Sequence, residues 1–172
     1  MSLIKVSDVY FLIERARIDH LPAITEIYND AILHTVATFD TQPKTIAEQE
    51  IWFQQHVDPL PIFVALFDNE VIGWSSLSAW SDRCAYAKTV ETSTYMHKDH
   101  QAKGIGTKLL ATSMTYAQTH GHRNVLARIV SSSLASRHLH EKQGFTLVGT
   151  MHQVGEKFGQ IHDVCLYQHL VL

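Results

Sequence analysis

Residues 97–106, with the sequence HKDHQAKGIG, separate a predicted strand from a strongly amphipathic predicted helix. Glycine allows a tight backbone turn in which successive N–H groups point into one concavity. The helix that follows presents unpaired N–H groups and the positive end of its dipole to the same point. The segment therefore predicts an anion-binding turn suited to a pyrophosphate. An ordinary glycine-containing connection between strand and helix fits the same residues and stays open as the alternative.

Two well-known phosphate loops do not fit this segment. A P-loop requires Gly-Lys-Ser/Thr, whereas Gly106 is followed by Thr107 and Lys108. A dinucleotide fingerprint requires a third glycine or an alanine where Leu109 stands. The sequence thus argues against nucleotide hydrolysis and nicotinamide chemistry.

Strand and helix patterns alternate on both sides of this turn, and hairpins bracket them. This alternation indicates an α/β chain with a mixed sheet and helices packed on both of its faces. A Thr-x-x-Glu capping box at Thr45 and Glu48 marks one helix start, and Asp58-Pro59 its expected end. The predicted strands are 10–18, 62–67, 71–77, 89–97, 125–130, 145–151 and 161–170, with a turn at 155–159. The other predicted helices follow a cap at Asp19 or cover 105–119 and 133–142.

Composition limits the class of protein. The chain has 172 residues, which predicts one domain over 1–172. A formal charge of −3 gives no general attraction to nucleic acid. The start lacks the pattern of a secretion signal, and no apolar run reaches the roughly 20 residues that cross a bilayer. We therefore expect a soluble, cytoplasmic protein with no nucleic-acid or membrane partner, whose two cysteines are free thiols.

The Gln-x-x-Gly-x-Gly pattern resembles the signature of the GNAT superfamily of N-acetyltransferases, and most closely the phosphinothricin and methionine sulfoximine acetyltransferase group. The resemblance implies a GNAT-like fold with a mostly antiparallel central sheet, and acetyl-coenzyme A as cosubstrate. It assigns the coenzyme pyrophosphate to Gln101, Ala102, Lys103, Gly104, Ile105 and Gly106. The further matching stretches are 27–30, 52–53, 85–86, 89–91, 139–145 and 155–159.

The same resemblance implies that the strand before the turn diverges from its neighbour, so that the pantetheine arm lies in the gap. Backbone groups of Tyr95, Met96 and His97 would then bond the coenzyme's amides, as in strand addition. An N–H of this stretch would polarise the thioester carbonyl. Ser133 stands where the family often has asparagine, and with Ser136 it is a further expected coenzyme contact.

Two residues are expected to be catalytic. Glu91 lies in the middle of a predicted strand, and its carboxylate can accept the proton that the acceptor amine loses. A solvated outward face of the strand is the alternative interpretation. His140 stands where many GNAT enzymes have a tyrosine that protonates the departing thiolate, and imidazole can donate a proton near neutral pH. A partly buried histidine that contacts the coenzyme without proton transfer fits equally well.

The acceptor pocket is predicted from arginine and aromatic residues. A guanidinium can bind an amino-acid carboxylate through two parallel hydrogen bonds. Arg83 matches an arginine-bearing segment of the family. Ser81 stands where relatives commonly have a second arginine. The expected pocket walls are Phe39, Tyr28 and Tyr86, each of which is also a plausible core residue.

These features predict an N-acetyltransferase that moves acetyl from acetyl-coenzyme A to the α-amino group of an amino-acid-like small molecule, by direct attack in a ternary complex. The alternatives are acetylation of peptides or proteins and a non-catalytic coenzyme sensor. Neither cysteine is expected at the thioester, and the spacing of the twelve histidines argues against a metal site. The resemblance also implies a homodimer in which Lys157 and Phe158 approach the partner's cleft.

Overall fold

A computed structural model describes residues 4–6 and 9–171 of the chain. Within these residues, eight strands form one open sheet in the order β1-β2-β3-β4-β5-β6-β8-β7. Neighbours pair antiparallel except β5 and β6, which run parallel. The strands are β1 Ile4–Val6, β2 Val9–Arg15, β3 Ile62–Phe67, β4 Glu70–Ala79, β5 Thr89–Met96, β6 Asn124–Val130, β7 Thr146–Lys157 and β8 Gln160–Leu170. The expected mostly antiparallel sheet is confirmed.

In the part of the chain that the structure describes, four α-helices cover the sheet: α1 Leu21–His34, α2 Ile46–Gln54, α3 Ile105–Thr119 and α4 Leu134–Lys142. Alternate residues of β3 separate the two faces. Ile62 and Val64 pack into the cluster that holds Ile24 of α1. Phe63 and Ala65 pack into the cluster that holds Leu109 of α3. The prediction that helices pack on both faces is confirmed.

The helix boundaries differ from the sequence prediction in two places. The capping box is confirmed, because Thr45 Oγ1 accepts the Glu48 N–H at 3.2 Å and Glu48 Oε2 accepts the Thr45 N–H at 2.8 Å. However, α2 ends at Gln54, four residues before the expected stop at Asp58. Asp19 does not cap α1. It lies in a 3₁₀ turn over Ile18–His20, and His20 occupies the N-cap position.

The last hairpin is longer than its sequence pattern predicts. β7 continues to Lys157 rather than ending at 151, and the turn consists of Phe158 and Gly159, both at positive φ. The β7–β8 register breaks between Met151 and Gly155, where Gln153 has φ 56°. This bulge interrupts the strand pattern without ending the strand, which is why Gly155 lies inside β7 and not in the turn. No helix in the described part of the chain is long and apolar enough to cross a membrane.

Candidate active site

The sheet opens between β5 and β6. Their parallel pairing covers only three residues of each strand and stops at Glu91 opposite Leu126. The other edge of β5 stays paired with β4 as far as Met96. Beyond Glu91, residues 92–95 of β5 and 127–130 of β6 line one cavity of about 830 Å³. The divergence expected before the glycine turn is therefore present, and it leaves one backbone edge of β5 without a neighbouring strand.

The backbone groups that face this edge follow from the β4–β5 ladder. The His97 N–H donates to the Ile72 carbonyl at 2.9 Å, and the His97 carbonyl accepts the His100 N–H at 2.9 Å. Because successive residues of a strand point their backbone groups in opposite directions, Tyr95 also faces β4. Thr94 and Met96 therefore direct their backbone groups to the open edge. Of the three residues whose backbone groups are expected to contact the coenzyme, Met96 faces the open edge, whereas Tyr95 and His97 face β4.

Hydroxyl-bearing residues lie on both sides of the opening. Thr92 Oγ1 is buried and has no hydrogen-bond partner among the described residues, and Thr92 lines the cavity. Ser133 occupies the N-cap position of α4, yet its side chain makes no capping bond. Ser133 and Ser136, the two serines expected to contact the coenzyme, both line the cavity.

The glycine turn has the backbone geometry that its sequence predicts. Ala102 and Gly104 have positive φ values of 57° and 76°, and α3 begins directly after Gly104. The turn is fastened to the preceding strand and loop, since Gln101 Nε2 donates to the Met96 carbonyl at 3.4 Å and Lys103 Nζ to the Asp99 carbonyl at 2.7 Å.

The first turn of α3 packs beside α4 and the end of β5. A Cβ placed on Gly106 would lie 3.5 Å from Leu139 Cδ1 of α4 and 3.6 Å from Met96 Cγ. The N-terminus of α3 therefore lies against the end of β5 and against α4, beside the strand opening. Residues 101–106 do not themselves line the 830 Å³ cavity.

Glu91 lies where the two strands separate. Its carboxylate accepts two hydrogen bonds from Arg128 of β6, from Nε to Oε1 at 2.6 Å and from Nη2 to Oε2 at 2.7 Å. Its side chain is 18% exposed, which decides against the alternative of a solvated outward face. The hydrogen bonds to Glu91 raise the pKa of Arg128, so the guanidinium stays charged. Arg128 is a cavity residue that the sequence analysis missed.

His140 lines the same cavity and is buried, with 6% of its surface exposed. Its Nδ1 lies 2.8 Å from the Ser136 carbonyl oxygen, which can only accept, so Nδ1 carries the proton. Burial lowers the pKa of the ring, although the bond to Ser136 opposes the shift. A neutral ring with the proton on Nδ1 has none to donate from Nε2. This geometry favours the interpretation in which His140 contacts the coenzyme without transferring a proton.

Tyr28 and Phe39, which are expected to line the acceptor pocket, form part of the wall of this cavity. The Tyr28 hydroxyl donates to Asp40 Oδ2 at 2.8 Å and lies 3.0 Å from Thr38 Oγ1. Burial, together with the hydrogen bond to Asp40, raises the pKa of Tyr28 to about 12, so the hydroxyl stays protonated. A second cavity of about 320 Å³ shares Tyr28, Asp40 and Tyr95 and extends toward Trp52 and Trp74.

The tip of the β7–β8 hairpin closes over the loop that carries Phe39. Lys157 is buried, and its Nζ donates to the Thr38 carbonyl at 2.7 Å. A Cβ on Gly155 would lie 2.1 Å from Phe39 Cε2, so the ring occupies the space that a side chain would need. The Lys157 side chain therefore reaches a loop of its own chain, and Phe158 is 59% exposed.

The other expected acceptor residues lie elsewhere. Arg83 and Tyr86 belong to an exposed stretch, 82–88, and neither is among the residues that line the two cavities. Cys84 is exposed in the same stretch, whereas Cys165 is buried; neither lines the cavities. No cluster of three or more histidine, cysteine or acidic side chains suited to a metal is found within residues 4–6 and 9–171.

Comparison with known proteins decides the family. The model of the acetyltransferase (GNAT) family matches residues 22–145. The chain belongs to the GNAT acetyltransferase family. An L-amino acid N-acyltransferase of Escherichia coli is 37% identical over 147 residues, which cover 85% of this chain and 86% of that protein. An L-methionine sulfoximine/L-methionine sulfone acetyltransferase of Pseudomonas aeruginosa is 36% identical, with coverage of 91% and 92%. This GNAT chain is thus an N-acetyltransferase by family.

A solved structure supports the same assignment. The GNAT superfamily phosphinothricin acetyltransferase of Sinorhizobium meliloti, determined in complex with acetyl-coenzyme A, superimposes with a TM-score of 0.91 at 33% identity. The match covers 94% of this GNAT chain and 88% of that structure. The sequence resemblance to the family and its fold is therefore confirmed.

The Phe39–Gly155 contact gives a stability test. We expect Gly155→Ala to lower the free energy of unfolding by about 1–3 kcal/mol, because the new methyl group displaces the Phe39 ring. Gly149→Ala is the matched control, since a Cβ there meets nothing within 4 Å, and it should change stability by less than about 0.5 kcal/mol. Urea denaturation measures both, and equal midpoints for the two variants would contradict the packing described here.

Proposed function

We propose that this enzyme transfers the acetyl group of acetyl-coenzyme A to the α-amino group of an amino-acid-like small molecule, by direct attack in a ternary complex. The observation that carries the proposal is the cavity between β5 and β6, with Glu91 at the point where the strands separate. Relatives named for L-amino acids and for L-methionine sulfoximine and sulfone support this acceptor class.

The open edge of β5 and the glycine turn fit the coenzyme. Thr94 presents its backbone N–H and carbonyl to the opening, and Met96 its N–H, so that the pantetheine amides would complete the sheet as an added strand. The positive φ values at Ala102 and Gly104 and the first N–H groups of α3 suit the pyrophosphate. Ser133 and Ser136 would supply hydroxyl contacts from α4.

The chemical step needs a base and a site for the developing negative charge. The amine nitrogen forms a bond to the acetyl carbon, the carbon–sulfur bond breaks, and the leaving group departs as the coenzyme thiolate. The proton that the amine loses goes to the Glu91 carboxylate, directly or through water. A backbone N–H of 92–96 on the open edge would stabilise the oxyanion.

The remaining residues expected at the site take the following roles in this proposal. His140 serves as a neutral contact in the coenzyme wall, since its proton lies on Nδ1 and is bonded to Ser136. Tyr28 and Phe39 shape the acceptor side, where the 320 Å³ extension toward Trp52 and Trp74 offers room for the acceptor's own side chain. Arg83 and Tyr86 contribute to acceptor binding only if the exposed 82–88 stretch moves.

We further propose that the enzyme is a cytoplasmic homodimer. β7 is an edge strand, and it exposes large apolar side chains together with its hairpin partner. Burial of such a surface against a second copy would remove it from water. These side chains are Leu147, Val148, Val154, Phe158 and Ile161.

An acceptor screen tests the proposed activity. Thiol release from acetyl-coenzyme A should rise with L-methionine sulfone, L-methionine sulfoximine or phosphinothricin, because their α-amino groups and side chains match the two neighbouring cavities that share Tyr28, Asp40 and Tyr95. Peptides carrying the same N-terminal residue should be poorer acceptors, since Phe39 and the β7–β8 hairpin close one side of the space. Preference for peptides would contradict the small-molecule assignment, and coenzyme binding without thiol release would indicate a sensor.

A substitution of Glu91 tests the base. We expect Glu91→Gln to lower kcat by about 10²–10⁴-fold, because the amide cannot accept the proton. The KM for acetyl-coenzyme A should change little. Glu50→Gln is the control, as Glu50 is exposed on α2 and lines neither cavity. Turnover of Glu91→Gln at the wild-type rate near neutral pH would remove Glu91 from the proposed mechanism.

A further inference from the structure

The Glu91–Arg128 ion pair leaves part of the guanidinium unused. Arginine has five N–H donors in a planar fork. Nε and Nη2 hold the Glu91 carboxylate, while Nη1 has no hydrogen-bond partner among the described residues. The second edge of the fork, formed by Nη1 and Nη2, can therefore take a bidentate carboxylate in addition.

Arg128 is the one lysine or arginine among the described residues that line the 830 Å³ cavity. The nearby cations are engaged elsewhere. Lys44 Nζ lies 3.1 Å from Asp40 Oδ2, and Lys157 Nζ donates to the Thr38 carbonyl. Arg83 belongs to the exposed stretch outside the cavities. An anionic group that enters this cavity meets Arg128 as its cationic partner.

The position of Arg128 is set before any ligand binds. Its backbone is paired with β8 opposite Leu166, its Nε edge is bonded to Glu91, and its guanidinium carbon lies 5.7 Å from the Trp80 ring centroid. The side chain is nonetheless 55% exposed, which leaves the remaining edge accessible. Because the Arg128 guanidinium is already held in place and stays accessible, it can bind a carboxylate with little further loss of side-chain conformational entropy.

We infer that Arg128 is a specificity-determining residue, which binds the α-carboxylate of the acceptor on its Nη1/Nη2 edge while Glu91 faces the α-amino group. The inference rests on the proposed function and names how its acceptor is recognised. The two edges of the guanidinium share Nη2, so a carboxylate on the free edge lies beside the Glu91 carboxylate.

The chemistry of α-amino acids matches this pair. The amino nitrogen is two bonds from the carboxylate carbon, so a carboxylate held by Arg128 brings the nitrogen within reach of Glu91. The ammonium and carboxylate of one acceptor thus meet a carboxylate and a guanidinium in complementary order. Amines that lack the α-carboxylate leave the free edge of Arg128 unpaired.

The experiment compares L-methionine sulfone with its α-carboxamide in the full-length enzyme, with thiol release as the readout. For Arg128→Met we expect kcat/KM to fall about 10- to 100-fold with the carboxylate acceptor, because a bond to a charged group is lost. With the carboxamide the loss should be clearly smaller, because this acceptor registers only the lost support of Glu91, so the preference for the carboxylate falls about tenfold or more. Arg128→Lys should keep part of the preference, since it retains the charge without the fork.

Arg123→Met is the control, because Arg123 is an exposed arginine immediately before β6 that lines neither cavity. It should leave both acceptors unaffected. Equal losses with both acceptors in Arg128→Met would overturn the inference and assign Arg128 to the support of Glu91 alone. A wild-type enzyme that releases no thiol with any amine would instead contradict the proposed function itself, and the inference with it.

Discussion

The early end of the β5–β6 ladder is the constraint on which the rest of the site depends. Backbone N–H and C=O groups are obligatory hydrogen-bonding partners, and a strand edge inside a sheet must be satisfied by something. Here the pairing stops after Glu91, while β4 on one side and β8 on the other hold the two diverging strands in place. The opening is therefore built into the sheet. A ligand with amide groups along an extended chain is the partner that such an edge accepts most directly.

Charge is concentrated at the point where the opening begins. Glu91 and Arg128 come from the two strands that diverge, and their side chains meet across the gap. Burial and hydrogen bonding keep the neighbouring groups in fixed protonation states, since Tyr28 has a raised pKa and His140 a lowered one. In the proposed mechanism Glu91 is the group in the cleft that accepts the proton of the amine. The same pair leaves the Nη1/Nη2 edge of Arg128 free among the described residues, and we infer that this edge binds the acceptor.

Much of this arrangement could be predicted from the sequence, because it depends on local patterns. The glycine turn, the capping box at Thr45 and the alternating apolar residues of β3 each act over a few neighbouring residues. Arg128 could not be found this way, since an arginine in an alternating strand looks like any solvent-facing position until the strand is known to diverge. The length of β7 could not be predicted either. The bulge at Gln153 interrupts the alternating pattern of the strand without ending it.

Amide hydrogen exchange of the intact protein, with and without acetyl-coenzyme A, examines the strand opening most directly. If the coenzyme completes the sheet, the amides of Thr94 and Met96 and those at the start of α3 should exchange more slowly in its presence. Amides of β4, which are already paired, should change little. Binding that leaves exchange at 92–96 unaltered, or no binding at all, would contradict the idea that this gap in the sheet holds the acyl donor.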